Sequence, residues 1–295
     1  MTQPQMPNNP VADLVEVLNL EPRGELRFRG RSQWMPHGRV FGGQVLAQSL
    51  VAASRTVERE RSVHSLHSYF LRPGDISKPV DFQVDVLRDG RSFSSRRVLA
   101  VQDGQPILSM IASFQSADPG VTHQVDAPNG IPEPEQLPAT RELLDSMEKL
   151  NHPAVEYWTK ARPFDLRHIE EPIYLSPASD RVAAQAVWFK TLEPLPNSAE
   201  LHRAALAYVS DYSILESILR RHGLSWLHRG LSTASLDHAM WFHRPARVDE
   251  WLLYVQESPT AQAGRGLATG RIFSRQGQLI ASIAQEGMIR VPEIS

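Results

Sequence analysis

The chain has 295 residues, 41% of them hydrophobic and 22% charged, which suits a soluble globular protein long enough for two compact units. Its 31 basic and 33 acidic side chains leave a net charge of −2, without the basic excess of a nucleic-acid binder, so no nucleic-acid partner is expected. The absence of cysteine removes disulfides, thiolate metal sites and a cysteine nucleophile together, and fits a reducing compartment.

The chain begins MTQPQMPNNP, polar and proline-rich with no apolar core of a signal peptide, so residues 1–20 read as a frayed tail and lead-in. No run of 18 apolar residues follows; no membrane span is expected, and a cytoplasmic location is. ELRFRGR (25–31) alternates like a strand, and GGQVLAQSLVAASRTV (42–57) repeats Val45, Ser49 and Ala52 or Ala53 at helical spacing. Four β-type runs come next, at 62–71, 80–87, 93–101 and 106–115, with QDGQ (102–105) as a hairpin turn. Residues 21–117 thus make a first unit. The proline-rich stretch DAPNGIPEPEQLP and the helical-looking RELLDSMEKL then read as a linker over 118–180.

The second unit, 181–295, repeats the order. QAVWFK (185–190) is a strand, 199–221 a long helix, and strands are predicted near 233–243, 251–257, 266–274 and 279–289. One helix followed by antiparallel strands is an α+β unit in which the curved sheet has to wrap the helix, since nothing else covers its apolar face. The units also match by register. FLRP at 70–73 answers FHRP at 242–245, 172 residues later, and DGQPI at 103–107 answers QGQLI at 276–280, 173 later. A shared offset with matching turn chemistry points to a duplication, a pseudo-dimer in one chain.

Three polar residues of the second unit stand out. On the predicted helix, Leu201, Ala205, Tyr208, Tyr212, Leu215 and Leu219 form the apolar stripe, and Asp211 sits at its edge. A half-desolvated carboxylate has a raised pKa and is a candidate general base, although Asp211 could instead cap a helix that breaks there, since SILE (213–216) is a capping box. In ASLDHAMWFHRP (234–245), Ser235 stands at a strand start where a hydroxyl can face a cleft, while Asp237 and His238 point to opposite faces and cannot form a dyad without a bulge. Gln285 interrupts the apolar strand LIASIAQEGMIR, where a buried amide needs partners; the first unit has Ala112 or Ser113 at that place. The pair His64 and His67 lies three apart on a strand, so its rings diverge and no metal site is expected. Neither a G-x-S-x-G elbow nor a glycine-rich phosphate loop occurs.

The stretches VFGGQVLAQSL, VHSLHSYFLRPGD, LRDGRSFSSRRV, LAYVSDYSIL, LDHAMWFHRP, EWLLYVQESP and IASIAQEGMIR together closely resemble the acyl-CoA thioesterase II (TesB-like) family, from about residue 12 to 291. The resemblance implies a double hot-dog fold and hydrolysis of fatty acyl-CoA to free acid and CoA, with no cofactor. It carries the family's catalytic aspartate, hydroxyl and glutamine onto Asp211 in SDY, Ser235 in ASLDH and Gln285 in AQEG. Bacterial members are expected to have threonine at the serine position; either residue supplies the hydroxyl. The implied mechanism is water attack, with Asp211 as base, Ser235 and Gln285 holding the water, and backbone amides near a helix N-terminus meeting the oxyanion. Gly42 and Gly43 are candidates for those amides, and His64 for a substrate contact. Acyl-CoA is the implied partner, and the exposed sheet edges of a pseudo-dimer suggest a homo-oligomer, dimer or tetramer. Rival readings are a hot-dog enoyl-CoA hydratase, which places a histidine five residues after its aspartate where this chain has Glu216, and a non-catalytic acyl-CoA-binding protein.

Overall fold

The computed structural model describes residues 4–145 and 152–291. Helix α1 (Pro10–Leu18) opens the chain, followed by the short strands β1 (Glu21–Pro22) and β2 (Arg27–Gly30). From Pro10 onward the expected lead-in is therefore helical and not frayed. Asn9 caps α1 by accepting from the Val11 and Ala12 amides at 2.9 Å each, and Pro10 takes the first helical position, where its missing N–H costs nothing. Val11, Leu14, Val17 and Leu18 then fall on one face and are buried.

The first unit continues with α2 (Gly42–Ser54), β3 (Arg61–Phe70), β4 (Val80–Asp89), β5 (Phe93–Gln102) and β6 (Gln105–Ser116). After the crossing segment and β7 (Phe164–His168), the second unit has β8 (Ala184–Thr191), α5 (Ala199–Val209), α6 (Glu216–His222), β9 (Ser232–Ser235), β10 (Asp237–Phe242), β11 (Leu252–Gln262), β12 (Arg265–Ser274) and β13 (Leu279–Arg290). All strand pairs are antiparallel, in the order β1-β2-β4-β5-β6-β3-β10-β13-β12-β11-β8-β7, with β9 continuing β10 along β13. The result is one sheet that wraps a helix in each half, the double hot-dog arrangement.

The two halves join through β3 and β10, where His67 pairs with Ala239. These two residues are 172 apart, the same separation as the sequence repeat, so the pseudo-twofold axis passes between them. Inside the sheet, every residue of α2 from Gly43 to Ala53 is buried, which explains its weak amphipathicity: it is covered all round. α2 lies against α5 closely enough that a Cβ on Gly43 would stand 2.2 Å from the Tyr208 carbonyl oxygen. The α2 and α5 cores belong to one apolar cluster, from Leu14 and Leu46 through Ala204 to Met240 and Ile283.

The crossing segment, expected as a linker with some helix, holds a 3₁₀ turn at Pro134–Gln136, α3 (Thr140–Asp145), α4 (Pro153–Glu156) and a π-helical turn at Tyr157–Ala161. The rest of the predicted RELLDSMEKL helix lies outside the described residues. Residues 164–168 add β7 to the sheet beyond β8, Phe164 opposite Thr191 and His168 opposite Val187. The predicted long helix at 199–221 is broken between α5 and α6. Ser210 bonds back to the Ala207 carbonyl, and Tyr212 and Glu216 make tighter i→i+3 amide bonds, so the polar SDYS stretch competes with the α-helical ladder. No helix among the described residues is long and apolar enough to cross a membrane.

Because Leu14 is fully buried in the shared core, Leu14→Ala is expected to lower unfolding free energy by about 2–5 kcal/mol, measured by chemical denaturation. A dangling N-terminus would give no change.

Candidate active site

Asp211 follows directly on the cap of α5, in the turn that breaks the helix. It neither rides on a helix nor caps α6, whose preceding residue is Leu215. The turn throws its carboxylate toward the N-terminus of α2 in the other unit. A Cβ on Gly42 would come within 2.6 Å of Asp211 Oδ2, and the Gly43 amide hydrogen-bonds the carboxylate. Glycine at 42 is therefore what gives Oδ2 room, and the positive end of the α2 dipole favours its charge.

On its other side the carboxylate meets the two polar residues of the second sheet. Ser235 Oγ donates to Asp211 Oδ1 at 3.0 Å, Gln285 Nε2 donates to the same oxygen at 2.8 Å, and Gln285 Nε2 also lies 2.9 Å from Ser235 Oγ. All three residues are thus within hydrogen-bond distance of one another, though 24 to 74 positions apart in the chain. Burial raises the Asp211 pKa above the ordinary carboxylate range; the imidazole of His238 beside it, Gln285, Ser235 and the Gly43 amide oppose that rise.

His238 is the residue that sequence reasoning missed. Strict alternation would put it on the face opposite Ser235, but the strand is irregular. Ser235 pairs with Gly287 and Ala239 with Ala284, so four steps on the β9–β10 side face three on β13. That one-residue bulge at Leu236 turns Ser235 and His238 to the same inner face. The same slip occurs between Val63 and Ser65 in the first unit, so the bulge belongs to the repeat.

His238 is fully buried, as is Gln285, and its Nδ1 contacts Gln285 Oε1 while Nε2 lies 3.0 Å from Ser210 Oγ. Because the Gln285 amide nitrogen already serves Asp211 and Ser235, its oxygen faces His238, so Nδ1 carries the proton, and the Ser210 hydroxyl has one proton to share between Nε2 and the Ala207 carbonyl. Burial lowers the His238 pKa, against the pull of Asp211, which suits this neutral tautomer. The histidine thereby sets which end of Gln285 meets the carboxylate. Its signal was available in the repeat: the equivalent cross-strand pair in the first unit is Leu66 with Ala112, both apolar.

Asp211 and Ser235 open onto a cleft of about 780 Å³ built from three regions. Phe41, Gly42 and Phe70 come from the first unit, Tyr157 and Arg162 from the crossing segment, and Asp211 with Ser235 from the second. The first unit and the crossing segment thus form walls of a site whose polar groups lie in the second. His64 is not brought to it: its Nε2 bonds Ser113 Oγ at 2.8 Å, its ring meets Phe93 edge-on, and it is absent from the cleft lining. Glu216 is sealed away with His168, Gln185 and Trp226. Among the described residues no group of three or more histidine, aspartate or glutamate side chains is arranged to hold a metal ion.

The sequence profile described as acyl-CoA thioesterase matches residues 167–288, and that of the acyl-CoA thioesterase N-terminal domain matches 31–115. Human acyl-coenzyme A thioesterase 8 is 42% identical, over 95% of this chain and 89% of its own. The chain belongs to the acyl-CoA thioesterase family. Within this family, acyl-CoA thioesterase 2 of Haemophilus influenzae is 39% identical over 95% of this chain and 98% of its own. The crystal structure of acyl-CoA thioesterase II TesB2 from Mycobacterium marinum superposes with a TM-score of 0.78 at 43% identity, over 96% of this chain and all of that one. A hot-dog protein from Alicyclobacillus acidocaldarius, at 20% identity and a TM-score of 0.76, shows the fold alone.

Two outcomes test how this thioesterase family member holds its carboxylate. Ser235→Ala removes a donor to the ionised form, so the Asp211 pKa rises further; activity lost on acidification should then be lost at a higher pH, seen as a shifted acid limb of kcat/KM. The double change His238→Leu with Gln285→Ala installs the first unit's apolar pair, so the protein should fold while activity drops by on the order of 10²-fold or more, read by circular dichroism and CoA release.

Proposed function

We infer that this acyl-CoA thioesterase hydrolyses fatty acyl-CoA by activating one water among Asp211, Ser235 and Gln285. The observation that carries the reading is the convergence of a desolvated carboxylate, a hydroxyl and an amide, within 2.8–3.0 Å of each other, with the carboxylate and hydroxyl on the wall of a cleft whose lining is otherwise largely apolar and the amide buried just behind them. Asp211 takes a proton as the water oxygen attacks the thioester carbonyl carbon. Ser235 and Gln285 hold the water, and the N-terminus of α2, where Gly42 lines the cleft, supplies the positive dipole end for the developing oxyanion. The tetrahedral intermediate then collapses: the C–S bond breaks, the CoA sulfur leaves and takes the proton from Asp211, and the acid departs.

The hydratase alternative loses support because Glu216, five residues after Asp211, lies outside the cleft in a bonded network of its own. We also propose that the chain assembles as a dimer or tetramer through the outer face of its central strands, where Tyr69, Ile111 and Trp241 are exposed. A cytoplasmic location goes with the cysteine-free composition.

Asp211→Asn is the decisive variant. CoA release, followed with a thiol reagent, should fall about 10²–10⁴-fold while acyl-CoA still binds. Near-normal turnover would remove Asp211 as the base; loss of turnover in the wild type itself would leave only a binding protein.

A further inference from the structure

Among the described residues three arginines are buried: Arg96, Arg162 and Arg220. Two are neutralised in the ordinary way. Arg96 reaches the carboxylate of Asp89 and the Thr56 hydroxyl and carbonyl, and Arg220 reaches Asp180 and the Glu171 carbonyl. Arg162 has no carboxylate partner among the described residues. Its one hydrogen bond there runs from Nη1 to the Tyr174 hydroxyl at 2.8 Å, and its Nε is buried with no acceptor.

In place of a counter-charge, the guanidinium lies against the rings of Tyr157, Tyr174 and Tyr212, 4.9–5.9 Å from their centroids. Cation–π contacts steady a guanidinium but leave its net charge and most of its donors unanswered. Burying a cation without a partner oxygen anion is costly, so a chain that does so holds it for a ligand or tolerates a loss. Arg162 is also the buried arginine that lines the cleft, and Tyr212 beneath it adjoins Asp211.

We infer that Arg162 is the anion-receiving residue of the cleft, its guanidinium taking an oxygen anion of the bound ligand. The inference rests on the acyl-CoA reading above, which supplies two such groups: a phosphate of the CoA half, or the carboxylate freed by hydrolysis. Arginine suits both, since its planar fork of donors matches either group.

The experiment compares the wild type with Arg162→Gln and Arg162→Lys, after wild-type hydrolysis of decanoyl-CoA and decanoyl-pantetheine has been established; its absence would defeat the thioesterase reading itself. If the anion is a phosphate, the wild-type KM is about tenfold or more lower for the CoA ester, and Arg162→Gln erases that difference without moving the pantetheine KM. If it is the carboxylate, decanoate inhibits the wild type about tenfold better than decanol, and Arg162→Gln removes the preference. Arg162→Lys keeps part of whichever preference exists. A folded Arg162→Gln that leaves both ratios at wild-type values overturns the inference, even if its kcat or melting temperature falls. Should that variant fail to fold, unchanged ratios in Arg162→Lys, or a wild type with neither preference, overturn it equally.

Discussion

A single carboxylate oxygen holds this site together. Asp211 Oδ1 accepts from Ser235 and Gln285, while the Gly43 amide of the opposite unit also bonds the carboxylate. Each hydrogen bond to a charged group contributes about 1.5–3 kcal/mol, against a desolvation penalty of several kcal/mol for a buried ion. Desolvation outweighs the donors here, which is why the pKa rises instead of falling. That balance suits a base: the group wants a proton more than a solvated aspartate does. The rest of the architecture serves the balance, because the donors come from two strands and a helix of different units and meet a carboxylate held on a turn.

Duplication explains how such a site could arise without weakening the fold. Both units keep the strand bulge, the wrapped helix and the cross-strand register, and those are what the sheet requires. At one cross-strand position the first unit retains Leu66 and Ala112, which pack, and the second has His238 and Gln285, which bond. The first unit is not idle, since its α2 N-terminus and Phe41 close the cleft of its partner. Chemistry and packing are divided between the copies, with the crossing segment as the third wall.

Much of the architecture was legible in the residues. The 172-residue offset announced the pseudo-twofold that pairs His67 with Ala239, and strand alternation placed nearly every strand. Asp211, Ser235 and Gln285 each looked out of place locally, as polar groups against apolar neighbours, and the structure brings all three together. Helix α1 was legible too, in the Asn9 cap, Pro10 and the spacing of Val11 and Leu14, but the polar residues before it masked the signal. The helix break at Ser210–Leu215 was harder, because Tyr208, Tyr212, Leu215 and Leu219 continue a perfect stripe across it.

What the sequence determined alone was whatever depends on near neighbours: the repeat, the strands and turns, the burial pattern, and three polar residues in apolar company. Only the tertiary structure decided that His238 faces the same way as Ser235, since a bulge is defined against the partner strand. Only it set Asp211 against Gly42 and Gly43, more than 160 residues earlier, and left Arg162 buried with no carboxylate partner among the described residues. Those facts are relations between surfaces that meet when two units and a crossing segment close over each other, and no local pattern encodes such a meeting.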